Sequence, residues 1–323
     1  VKNIVSKRKM KEEEMKGIEA FAPRLISHRR TWSVAAVIMA VVFIILGQLA
    51  TIFAFVSPLG FTAENLESGA WQPLFWLLVG FGFIIILTAL WVIFFERRGL
   101  ATIGLNGQIL QRYLKGFGLG LFFLGLSVGI IYSLGGYFIE KPGVIGKFSL
   151  GILLPIAALL LGFIIQGGAE EVVTRGWLMQ VIASRHGMAL GIAVSSLLFS
   201  LLHIGNQKSL TPEFIMGLLN IILVAVFLGL YAFKEGSIWG VCGWHSAWNW
   251  LLGVGFGLEV SGIKLDVTPL ITDMAYNSAV PWWITGKDFG PEGSVIVSII
   301  LMAGIVWQVM SGAMKAEGFK APE

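Results

Sequence analysis

Apolar residues run in blocks of about twenty along nearly the whole chain, broken by short polar or glycine-bearing stretches. Eight blocks stand out, at about 33–56, 74–95, 117–139, 148–168, 188–206, 214–233, 236–256 and 294–312. As helices rising about 1.5 Å per residue, such blocks are long enough to cross roughly 30 Å of hydrocarbon. Only short hinges separate the third from the fourth and the sixth from the seventh. The pattern predicts an all-α, polytopic membrane protein of about eight transmembrane helices, with any polar site inside the helix bundle.

Composition narrows the class further. Of 323 residues, 56% are hydrophobic and 13% charged, with a mean hydropathy of +0.81. A soluble domain of that length cannot hide so much apolar surface. The lipid bilayer is therefore an expected partner, and nucleic acid is not. The single cysteine, Cys242, cannot form an intramolecular disulfide and reads as a small buried residue, although it shares a helix face with His245.

Lysine and arginine placement sets the expected orientation through the positive-inside bias. Lys2, Lys7, Arg8, Lys9, Lys11, Lys16, Arg24, Arg29 and Arg30 precede the first block. Arg97, Arg98, Arg112, Lys115, Arg175, Arg185, Lys234, Lys315 and Lys320 fall on the same side of an eight-span arrangement. Only Lys141, Lys147, Lys208, Lys264 and Lys287 fall opposite. Both termini are thus expected in the cytoplasm, with the protein in the cell (plasma) membrane. The charged opening residues are not read as a signal peptide. They form a basic arm over 1–32 that sets topology, its charge diluted by Glu12–Glu14. Gly116-x-x-x-Gly120 and Gly125-x-x-x-Gly129 suit close helix packing. The glycine-rich run around them lies inside an apolar span and is not read as a nucleotide loop.

Ionisable groups inside such spans are costly and mark candidate sites. Three stretches carry them. In QGGAEEVVTRGW, Glu171 and Arg175 are four residues apart and can pair, while Glu170 is turned about 100° away and is left to act on water. In FSLLHIGN, Phe199, His203 and Asn206 lie on or near one helix face. In GWHSAWNW, His245 and Asn249 share a face, flanked by Trp244, Trp248 and Trp250. Taken singly, these read as an ion pair, a packing histidine and interhelical polar contacts. Together they supply the parts for hydrolysis: a carboxylate to take a proton from water, an imidazole beside it, and donors for an oxyanion.

EEVVTR, FSLLH and HSAWN resemble the EExxxR, FxxxH and HxxxN motifs of the type II CAAX endopeptidase (CPBP) family of intramembrane proteases. About thirty residues separate the first motif from the second, and about forty the second from the third. The later stretches LEVSGIKL and WITGKDFGPEGSVIV resemble the tail of bacterial members. The resemblance implies a protease-like membrane domain over 115–312, preceded by two helices and a loop (33–114) and followed by a tail (313–323). It implies that Glu170 activates water with His203 as its partner. His245 and Asn249 would form the oxyanion site, and Glu171, Arg175, Phe199 and Asn206 would support it. Its substrate would be a membrane-bound peptide or protein. No cofactor is favoured. If a metal such as Zn²⁺ is used, Glu170, His203 and His245 are the candidate ligands. A non-proteolytic immunity or scaffold role on the same fold, and a proton-coupled transporter, are the competing classes. No internal repeat of the transporter kind is visible.

Depth arithmetic exposes a conflict. His203 lies about 22 Å along a helix from Met188, and His245 about 13 Å from Gly236. Glu170 lies roughly 33 Å from Phe148, at the far boundary of the fourth block. The three converge only if the fourth helix crosses later, from about Pro155 through Gln180, with VVTRGWLMQVI partly submerged.

Overall fold

The computed structural model describes residues 20–22, 28–62, 64–65, 68–145, 149–207 and 209–313. Most of the basic arm, the tail after 313, and Lys147 and Lys208 lie outside them. The described chain is mostly helical. Helix α1 (Ser33–Thr51) continues as a π-helical turn, Ile52–Val56. The second span is α2 (Trp71–Gly80) and α3 (Gly82–Leu90), separated at Phe81 and extended by a π turn to Phe95. Then come α4 (Ile109–Ser133), strand β1 (Tyr137–Pro142) and α5 (Leu150–Glu171), which runs through a wide turn at Val172–Leu178 into α6 (Met179–His186). The remainder is α7 (Met188–Leu201), α8 (Pro212–Glu235), α9 (Trp239–Trp250), strand β2 (Thr272–Tyr276) and α10 (Val295–Met310).

Among the described residues, six helical segments are long and apolar enough to cross a membrane: 33–56, 71–95, 109–133, 150–186, 188–206 and 212–235. The expected seventh and eighth spans are shorter helices, so a count of eight full-length spans is not met. The outward face is greasy, with Phe53, Phe94 and Leu110 more than two-thirds exposed, as lipid-facing positions require. These features make it a multi-pass membrane protein.

Two boundaries differ from the hydropathy reading. The third block was expected to span 117–139, but α4 begins at Ile109 and ends where Gly135 takes a left-handed φ of 75°. The apolar residues after it form β1, which pairs antiparallel with β2, Tyr137 opposite Tyr276. A short strand inside a loop has too few residues to register as a period. The fourth block was expected to end at 168 or, by the depth argument, to start near Pro155. Instead one 37-residue helical segment runs from Leu150 to His186, with Glu170 near its middle. Hydropathy lost it because Glu171, Arg175 and Gln180 score as polar, yet all three are fully buried.

Close packing of α4 on α9 locates the third motif. A Cβ on Gly116 would run into the Gly240 carbonyl, and one on Gly120 into that of Trp244. Gly125 and Gly129 meet nothing, so the second glycine pair is not a packing contact. Beyond α9 the chain folds back over one end of the bundle: Leu270 donates to the Val254 carbonyl (2.7 Å) and Met274 to that of Phe256 (3.0 Å).

Candidate active site

The three motifs meet in one cavity. Glu170 comes from the end of α5, just before the helix widens into the π turn. Such turns add a residue to the helix and frequently accompany functional sites. His203 follows α7, and His245 and Asn249 stand one turn apart on α9. All four line a cavity of about 400 Å³. Glu170 Oε2 lies 3.6 Å from His245 Nε2 and has no hydrogen-bond partner among the described residues.

The other carboxylate has a different task. Glu171 Oε1 accepts from Arg175 Nη1 and from His245 Nδ1, each at 2.9 Å. All of this is buried, and both members of the Glu171–Arg175 pair are fully enclosed. Because a carboxylate only accepts, His245 must carry its proton on Nδ1 here, which turns Nε2 toward Glu170. Asn249 donates one amide hydrogen to Gln166 Oε1 (3.2 Å), leaving the second. Gln166 is four residues before Glu170 on the same helix face, the spacing by which a sequence reading could have found it.

Phe199 packs at the centre of the cluster. The Arg175 guanidinium sits 4.4 Å over its ring, and both histidines meet it edge to face, at centroid distances of 4.8 Å (His203) and 6.1 Å (His245). His203 bonds the Phe199 carbonyl through Nδ1 (2.8 Å), so its Nε2 is free of that contact. Asn206 lines the same cavity, and its amide donates to the Ser261 carbonyl (3.0 Å), which ties the loop after α9 to the turn that follows α7.

That loop brings in residues outside the three motifs but within the LEVSGIKL and WITGKDFGPEGSVIV stretches. Ser261, held at a left-handed φ of 48°, donates from both its backbone N–H and its hydroxyl to Glu292 Oε2. Trp248 Nε1 donates to Glu292 Oε1 at 2.9 Å. Asn220, in the middle of α8, donates to the Glu292 and Ser294 carbonyls (2.7 and 2.8 Å) and holds the turn before α10. Gly290 in that turn has φ 76°, and a Cβ there would run into the Glu259 carbonyl. Burial pushes the Glu292 carboxyl above its usual range, while the Ser261 and Trp248 donors act the other way. An asparagine within an apolar span, and the two tail stretches that hold Ser261 and Glu292, were the available signals for this second network.

The first two spans also reach the cavity. Ile44, Leu78, Phe81 and Ile84 form much of its apolar wall, with Gln48 as the polar group among them. Cys242 is buried and free, and its carbonyl accepts from Ser246 (2.7 Å), while His245 is directed to Glu171. Among the described residues no three His, Cys, Asp or Glu side chains are gathered closely enough to hold a metal ion.

Neither the curated proteins nor the solved structures give a match to this chain. A family model described as type II CAAX prenyl endopeptidase, Rce1-like, matches residues 152–251, from the first turn of α5 to the residue after α9. That stretch carries all three motifs, and over it the chain matches the Rce1-like family of type II CAAX prenyl endopeptidases.

Proposed function

We propose that the protein is an intramembrane endopeptidase that hydrolyses peptide bonds of membrane-associated proteins or peptides with a water activated by Glu170. The observation that carries this reading is Glu170 Oε2, which accepts no hydrogen bond among the described residues and lies 3.6 Å from a histidine anchored on its other side by Glu171. Glu170 takes a proton from water as the oxygen adds to the substrate carbonyl carbon. The resulting oxyanion accepts from the free Asn249 amide hydrogen and, when His245 is doubly protonated, from its Nε2–H. The C–N bond then breaks as Glu170 returns the proton to the departing amine. His203 Nε2 orients the water from the opposite side. The domain carrying this chemistry is assigned to 115–312, and no step uses a metal. The charge pattern orients both termini to the cytoplasm of a plasma-membrane protein.

The test is hydrolysis of labelled apolar peptides by purified protein in lipid nanodiscs. Glu170→Ala should lower turnover by about 10²-fold or more, the usual contribution of a positioned acid–base group. A chelator should leave wild-type turnover intact. Full activity in Glu170→Ala would remove the assignment, and loss on chelation that Zn²⁺ restores would replace it with a metal-dependent one.

A further inference from the structure

The cavity wall carries five side-chain amides, and four of them are bonded within the protein. Asn249 donates to Gln166, and Asn206 to the Ser261 carbonyl. Asn220 donates to two carbonyls and accepts from the Ser298 hydroxyl (2.6 Å). The fifth, Gln48 on α1, is half-buried, and its side chain has no hydrogen-bond partner among the described residues. It lies about 12 Å from the nearer end of a 24-residue span, too deep for so short a side chain to reach the headgroups. An amide left unpaired in hydrocarbon is costly, so the position calls for a partner that enters the cavity.

Two contacts fix its height. Ser33 Oγ meets His186 Nε2 at 2.8 Å, and Phe43 packs on Trp177 with ring centroids 5.3 Å apart. The start of α1 is therefore level with the end of α6, and the two segments run antiparallel. Gln48 comes fifteen residues after Ser33, and Glu170 sixteen before His186, which is about 22 and 24 Å from that shared end. The two side chains stand at one level on facing walls. Gly47 lets α1 approach α3 so closely that a Cβ there would collide with Ile84, and Ile44, one turn before Gln48, lines the same wall.

Resting on the proteolytic reading, we infer that Gln48 is a substrate-binding residue whose side-chain amide pairs with the backbone of an extended substrate segment, level with Glu170. The chemistry calls for such a partner. A helical substrate keeps its N–H and C=O groups bonded to its own turns. Water reaches a scissile carbonyl only after that turn has opened, which frees backbone groups inside an apolar cavity. A primary amide carries a donor and an acceptor side by side, and so matches the N–H and C=O that an extended residue presents on one edge. Gln48 thus reads backbone and leaves side-chain choice to the apolar wall around it. A bond made equally to the bound substrate and to the transition state sets KM and leaves kcat alone.

Gln48→Met is the test, because it keeps the length of the side chain and removes both hydrogen-bonding atoms. In nanodiscs the variant should unfold no earlier than wild type, since no internal partner is lost. On labelled apolar peptides its KM should rise about three- to tenfold with kcat little changed, the effect of one neutral hydrogen bond. A peptide series with a single N-methyl group, moved residue by residue along the positions flanking the labelled bond, reads the contact directly. In wild type, one position should lose several-fold in kcat/KM, and in Gln48→Met that loss should disappear. An unchanged KM, or the same N-methyl losses in both proteins, would overturn the inference while leaving proteolysis intact. Early unfolding of Gln48→Met, or its failure to fold, would also overturn it, by showing that Gln48 holds the bundle together. Cleavage of no peptide by wild type would bring down the proteolytic reading and this inference with it.

Discussion

The two walls of the cavity are built on opposite principles. The wall from α5, α7 and α9 is a chain of directed contacts, in which Glu171 accepts from both Arg175 and His245, Phe199 packs against both histidines, and Asn249 leans on Gln166. The wall from the first two spans is apolar apart from Gln48 and is held by shape, with Ile44, Leu78, Phe81 and Ile84 facing in. A buried polar network loses heavily when one member is removed, because its partner is left charged and unpaired. An apolar wall loses in proportion to the volume removed. Chemistry should therefore be intolerant on one side, and substrate choice adjustable on the other.

The largest break in that contrast is Glu171→Ala. It leaves the Arg175 guanidinium buried and unpaired, and frees His245 Nδ1. Loss of one partner of a buried pair costs about 3–5 kcal/mol, so thermal unfolding in detergent should fall well below wild type, with activity lost. The double variant Glu171→Leu/Arg175→Met should recover much of the stability and none of the activity. Recovery of both would mean that the pair does not orient His245. Next in size is Asn249→Ala, which removes an oxyanion donor. Turnover should drop by about 10²–10³-fold with KM little changed, as measured on the same peptides. A matching rise in KM would place Asn249 in substrate binding.

Sequence made the polar wall legible and left the apolar one almost invisible. Glu170, His203, His245 and Asn249 stand out because an ionisable or amide group in a span is rare and needs a reason. Their helical spacing then places them correctly: His245 and Asn249 do share a face, and Glu171 does pair with Arg175. What sequence could not supply is pairing across long separations. Nothing in the spacing links Glu292 to Ser261 and Trp248, or Asn206 to the Ser261 carbonyl. The two strands are too short to register as a period, and their pairing was missed because β1 and β2 are more than a hundred residues apart. The helix through Glu170 was misjudged because hydropathy counts Glu171 and Arg175 as water-seeking, whereas each neutralises the other inside the bundle. Phe81 and Leu78 look like any other membrane-span residues; only the break at Phe81 sets them apart.

That break yields the smallest and most selective effect. Gly80 packs against Thr51 so closely that a Cβ there would collide with its side chain, and the helix restarts at Gly82. The offset leaves Phe81 on the cavity wall beside Leu78, away from the hydrogen-bonded groups. Phe81→Ala enlarges the apolar side without disturbing any of those groups, so kcat on a good substrate should change little. A pocket of this kind distinguishes apolar side chains by about 1–3 kcal/mol for each methylene of mismatch, or roughly 10–200-fold. A partly open wall should reach only the lower end of that range. Peptides with a bulkier side chain next to the scissile bond should gain up to about tenfold in kcat/KM, and those with a small one should lose a few-fold. Equal losses for all peptides would mean that Phe81 supports the polar wall, and the division between the two walls would then fail.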